Sequence, residues 1–189
     1  MILSKKAFTL IELLVSITII IILSLMTYLP YSHYQNKAKL KLASREISQS
    51  FYEAKNMAIS GIKDISSNKS VGLYLTTEAG NSNKLIFFVY PYDIDELLIN
   101  NVESSQVNIL KTKLIQDGIN INNLNGYDNL LFFFDSITGK SKVYTFTSSG
   151  KSEVDLDKII ISFSYKNAIS STLNKQIIYY KNTNIIDYN

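Results

Sequence analysis

The chain has 189 residues, 46% of them hydrophobic and 19% charged against roughly 25% in soluble domains, so it holds one domain with apolar material left over for an anchor. A formal net charge of +3, with Arg45 as the single arginine, is too small to mark a nucleic-acid reader by charge alone. The lack of cysteine excludes a disulfide framework, a thiol nucleophile and a Cys-ligated zinc site.

Met1 to Ala7 reads MILSKKA, short and basic through Lys5 and Lys6. Phe8 to Leu29 follows, FTLIELLVSITIIIILSLMTYL, with Glu12 as its single charge. A helix of that length spans roughly 33 Å, enough to cross a bilayer core of about 30 Å. A cleaved secretory signal has a shorter apolar region and a small-residue cleavage site after it. Here the run continues into TYLPYSHYQNK, so a signal anchor is the better reading. Lys5 and Lys6 stay in the cytoplasm, which places the chain after Leu29 outside.

Beyond Tyr31 the chain turns polar but keeps a stripe. Leu40, Ala43, Ile47, Phe51, Ala54 and Ala58 recur at steps of three and four, the apolar face of an amphipathic helix. Gly61 is the stop. The simplest reading is one helix from about Phe8 to Ser60, apolar all round in its first half and amphipathic in its second. Pro30, at the junction, predicts a kink or local melting.

After Gly61 short β-rich runs alternate with turn residues. The candidate strands are Ser70–Thr77, Lys84–Tyr92, Gln106–Gln116, Asn129–Asp135, Lys142–Thr147, Lys158–Tyr165 and Lys175–Lys181. Turns fall at Gly80-Asn81, Gly126, Thr138-Gly139 and Ser149-Gly150. The fold class is α+β: a long N-terminal helix packed on a mainly antiparallel sheet, one face of which meets the apolar stripe.

The junction Lys5-Lys6-Ala7-Phe8-Thr9-Leu10-Ile11-Glu12-Leu13-Leu14-Val15 resembles the prepilin-type cleavage and methylation motif of type IV pilins and type II secretion pseudopilins. The resemblance implies a prepilin peptidase that cuts between Ala7 and Phe8 and methylates the new amino group of Phe8. It gives Glu12 a part in admitting the subunit to a filament. It implies four segments: leader 1–7, membrane and filament-core helix 8–29, amphipathic continuation 30–61, and an extracytoplasmic β-rich head 62–189. The implied partners are the peptidase, other pilin or pseudopilin subunits and an inner-membrane assembly platform. The implied location is the inner membrane as a single pass, then a pilus or pseudopilus. The family usually has glycine before the cut where this chain has Ala7, and proline one position earlier than Pro30. The runs Phe51–Ile59, Leu131–Gly139 and Tyr144–Gly150 are similar to GspH/FimT-type minor pilins.

Glu12 is the sharpest residue. A carboxylate in a membrane segment costs about 2.5–3.5 kcal/mol at the helix centre and less near an end, so it needs a partner. After cleavage the amino group of Phe8, on the same or a neighbouring subunit, is the natural one. Thr9-x-x-Glu12 also matches a capping box, and the two roles are compatible at different stages. Ser16, Thr18 and Ser24 are small polar residues suited to helix packing.

The remaining candidates read as ordinary surface. His33 has no acidic or histidine neighbour at metal spacing, and Asp93, Asp95 and Glu96 form a loop cluster too weak for calcium. No phosphate loop or catalytic set is visible, so neither an enzyme nor a cofactor is expected. Lys166, Lys175 and Lys181 near Tyr165, Tyr179 and Tyr180 are the material for a basic-aromatic DNA surface. The alternative function is therefore a filament-tip module for DNA uptake or for substrate or surface recognition.

Overall fold

A computed structural model describes residues 9–61, 70–90, 108–147, 150–166 and 173–188. The chain divides into two units, Met1–Ala38 and Lys39–Asn189. Helix α1 runs from Leu10 to Ser60. It is followed by β1 (Ser70–Thr76), β2 (Lys84–Tyr90), β3 (Asn108–Leu114), β4 (Ile119–Leu124), β5 (Asn129–Phe134), β6 (Ser141–Thr147), β7 (Gly150–Glu153), β8 (Lys158–Tyr165), β9 (Asn174–Tyr180) and β10 (Ile185–Tyr188).

The long helix and the antiparallel β region are as expected, and Gly61 ends the helix in a left-handed conformation (φ 69°). Local melting at Pro30 does not occur, because α1 is continuous through it. Proline removes one N–H from the ladder, and the bonds on either side hold the helix together.

In the second unit the predicted stripe is the buried face of the helix. Leu40, Ala43, Ile47, Phe51, Ala54 and Ala58 are each at most 2% exposed. They share a core with the inward residues of two sheets rather than the single sheet the sequence implied. The first sheet has the order β3-β2-β1-β5-β6-β7 and the second β10-β9-β8-β4, with every named pair antiparallel. Phe51 joins the three layers. Its ring meets Phe132 edge-on at 4.7 Å and stacks on Tyr179 at 5.1 Å, while Phe132 meets Tyr179 edge-on at 5.1 Å.

The first sheet is also buried on its opposite face. There Ile86, Phe88, Tyr90, Leu131, Phe133, Tyr144 and Phe146 form a second cluster with Tyr74. Burial on both sides is why LIFFVY and LLFFF are unbroken apolar runs instead of alternating ones. Gly72 of β1 makes room for this cluster. It lies opposite Phe88 and Phe133, and a Cβ there would come within 2.0 Å of Phe88 Cζ. Gly72→Ala is therefore expected to destabilise the head by about 1–3 kcal/mol, read as a lower denaturant midpoint. Phe88→Leu in the same chain should recover part of the loss; an unshifted midpoint in the single variant would show that the ring yields freely.

Side chains clamp the elements together. Lys111 Nζ donates to Glu53 Oε1 at 2.6 Å, tying β3 to the helix, and Gln116 Nε2 donates to Glu46 Oε1 at 2.8 Å. Tyr179, fully buried, donates its hydroxyl to Asn184 Oδ1 at 2.6 Å and lies against the Ser141 hydroxyl. Burial raises its pKa well above the usual phenol range, so it stays a neutral donor. Asn184 in turn donates to the Gly139 carbonyl at 2.8 Å, joining the β9–β10 and β5–β6 turns.

The β5–β6 turn is built around Asp135. Its Oδ1 accepts from Thr138 N at 2.6 Å, Ile137 N at 3.0 Å and Thr138 Oγ1 at 2.9 Å. The Thr138 N–H is the main reason its carboxyl lies below the ordinary range, against the opposing effect of its slight burial. A folded-state pKa below the unfolded one gives stability that is present above the unfolded value and lost as pH falls through the folded value. The expected result is a stability–pH curve that drops below about pH 4. Asp135→Asn keeps an acceptor oxygen and should flatten that drop; an unchanged acid limb would mean the turn contributes nothing to it.

Candidate functional site

In the first unit the described chain is helix from Leu10 onward, and every residue from Thr9 to Met26 is exposed. Leucine, isoleucine and valine dominate this stretch, and the helix is long and apolar enough to cross a membrane. An exposed apolar surface of this extent calls for lipid or other helices around it.

The helix opens with a closed capping box. Thr9 N donates to Glu12 Oε2 at 3.2 Å, Thr9 Oγ1 donates to the same oxygen at 3.1 Å, and Glu12 N donates to Thr9 Oγ1 at 3.3 Å. The single carboxylate of the span is thus occupied locally, and it also lies in the first turn, where the helix dipole favours negative charge. The hydroxyls of Ser16, Thr18 and Ser24 donate back to the carbonyls of Glu12, Leu14 and Ile20 at 2.8, 2.8 and 2.7 Å. Back-bonding lets these polar groups sit in an apolar medium without an unmet donor.

Ala7 and Phe8 lie outside the described residues, as do Asp93, Asp95 and Glu96. His33 is exposed on α1. Among the described residues no group of three or more His, Asp or Glu side chains is placed to hold a metal. The six residues proposed for a basic-aromatic surface do not come together. Tyr179 is in the core, and Lys181 points its amine at Glu153, Asp155 and the Val154 carbonyl, each at 3.4 Å. Alternation along β9 sends Tyr179 inward and leaves Tyr180 half-buried on the other face. Sequence reasoning passed over Tyr28, Tyr31 and Tyr34, which are 70%, 62% and 72% exposed. Their three-residue spacing across the end of the apolar run was the available signal.

The family described as the prokaryotic N-terminal methylation motif matches residues 2–28. No curated protein and no solved structure matches the chain. The chain thus carries a prepilin-type methylation motif at the head of a long apolar helix, the N-terminal arrangement of a type IV pilin-like precursor. The motif implies a substrate of a prepilin peptidase, held in the membrane by a single pass, that assembles with other pilin subunits.

Proposed function

We propose that this chain is a structural subunit, a minor pilin or pseudopilin of the GspH/FimT type, in a type IV pilus or type II secretion pseudopilus. The observation that carries the reading is the methylation motif at residues 2–28 opening an apolar run, Phe8 to Leu29, whose one charge is Glu12. The peptidase cuts between Ala7 and Phe8 and methylates Phe8. Lys5 and Lys6 remain on the cytoplasmic side, and residues 30–189 follow on the outer side of the span. The helix then moves from lipid into the filament core, where Glu12 exchanges its Thr9 contacts for the amino group of a processed Phe8. The β head is the part displayed, and it performs no catalysis.

The direct test is co-expression with a prepilin peptidase, followed by intact mass measurement. The expected product begins at Phe8 and carries one methyl group. A product that still begins at Met1, or one cut after Leu29, would refute the reading. The tip-module alternative has lost Tyr179 and Lys181 from its basic-aromatic set. Salt-dependent retention of DNA by the processed chain would restore it.

A further inference from the structure

We propose that Tyr28, Tyr31 and Tyr34 form a belt that seats the first unit at the headgroup layer of a phospholipid bilayer, on the C-terminal side of the span. The proposal concerns the chain in the membrane before any assembly and does not depend on the filament role.

Three lengths agree. From Leu10 to Leu29 a helix rises about 30 Å, the thickness of the hydrocarbon core. The tyrosines begin at the end of that run. They climb about 4.5 Å per step and about 9 Å from Tyr28 to Tyr34, enough to cover the roughly 5–7.5 Å of one headgroup layer with a small margin. Lys37, exposed, lies one further step out, where its amine reaches phosphate and water.

The chemistry agrees as well. All three rings are more than 60% exposed, so none is needed to pack the protein. An aromatic body with a polar tip is the side chain that favours the boundary between acyl chains and water. Steps of three residues also spread the rings over about a third of the helix circumference, so the belt faces lipid over a broad arc. Pro30 falls within the same band. It leaves the Met26 carbonyl without its N–H partner, which is costly in hydrocarbon and cheap among hydrated headgroups. Together these features fix the depth of the helix: sliding by one turn would either bury Lys37 or carry apolar surface into water.

The chain has no cysteine, so single cysteines report on position without background. The full precursor, with no peptidase present, is reconstituted in phosphatidylethanolamine/phosphatidylglycerol vesicles. Leu23→Cys, Met26→Cys, His33→Cys, Gln35→Cys, Lys37→Cys and Lys41→Cys, which leave the three tyrosines in place, are each labelled with a membrane-impermeant maleimide. Signals are normalised to Lys140→Cys, an exposed residue of the β5–β6 turn. The expected profile is protection at positions 23 and 26, a rise across 33 and 35, and about tenfold more labelling at 37 than at 26. Replacing all three tyrosines by alanine should move the step by about one helical turn, and replacing them by tryptophan should leave it in place. A step at Lys41 or later, or one that stays put in the triple alanine chain, overturns the belt while leaving the span intact. Equal labelling from Leu23 onward overturns the span as well, and with it the membrane-anchor reading.

Discussion

Glu12→Ala is expected to yield a subunit that inserts and is cut normally but enters filaments at less than about one hundredth of the normal level. The substitution removes the one charge of the span, so insertion becomes easier, by up to about 2.5–3.5 kcal/mol at full membrane depth. It also opens the capping box with Thr9, a loss of about 1 kcal/mol that a long membrane helix tolerates. The large effect belongs to assembly. In a filament core the amino group of Phe8 would face no carboxylate, and breaking a buried pair by removing one partner costs roughly 3–5 kcal/mol.

Thr9→Val separates the two roles of Glu12. It removes the hydroxyl contacts at 3.1 and 3.3 Å and leaves the carboxylate in place. That chain should assemble almost normally. The measurements are intact mass for processing and the sheared-filament fraction for incorporation, in cells that supply the assembly machinery. If Glu12→Ala assembled as well as the natural chain, the carboxylate would be a helix cap and nothing more.

Phe51→Ala is expected to cost the β head about 3–5 kcal/mol, a large share of the 5–15 kcal/mol that holds a typical domain together. Phe51 is 2% exposed, and its ring touches Phe132 of the first sheet and Tyr179 of the second. Truncation would leave a cavity where the helix and both sheets converge, and would forfeit the aromatic pairings along with the transfer energy. Phe51→Leu keeps most of the volume and should cost less than half as much. The neighbouring Tyr52, 46% exposed, is the control, and Tyr52→Ala should lie within about 0.5 kcal/mol of the natural chain. Denaturant unfolding of the full chain in detergent, followed by tyrosine fluorescence, reads all three. Equal costs for Phe51→Ala and Tyr52→Ala would show that the helix is not anchored through this ring.

The features that could be read before folding were those whose rules are local. The capping box needs residues three apart, Thr9 and Glu12. The buried face of the helix needs the 3.6-residue period that Leu40, Ala43, Ile47, Phe51, Ala54 and Ala58 keep without a gap. Strands β1, β2, β3, β5, β6, β8 and β9 were visible because aromatic and branched aliphatic residues recur there between turn signals. Strands β4, β7 and β10 were not. ININNL dilutes its inward Ile119, Ile121 and Leu124 with asparagine, and a bulge between Ile121 and Asn123 breaks the alternation. GKSE has no apolar residue, and it pairs only because β6 lies beside it. IIDY is four residues long and takes its partner, β9, from across a turn held by Asn184.

The sequence alone determined the N-terminal motif, the membrane-length apolar run, the stripe that becomes the core face of the helix and the α+β class. Each follows from composition, from spacing along one element or from a short unbroken motif. Only the tertiary structure decided that the strands form two sheets, that the first sheet is buried on both faces, and that Tyr179 and Lys181 turn toward partners instead of outward. Those outcomes depend on pairings such as Val71 with Phe134 and Ser141 with Tyr179, between residues tens of positions apart. No local period carries such information, because which distant strand lies alongside is chosen by the packing of the whole core.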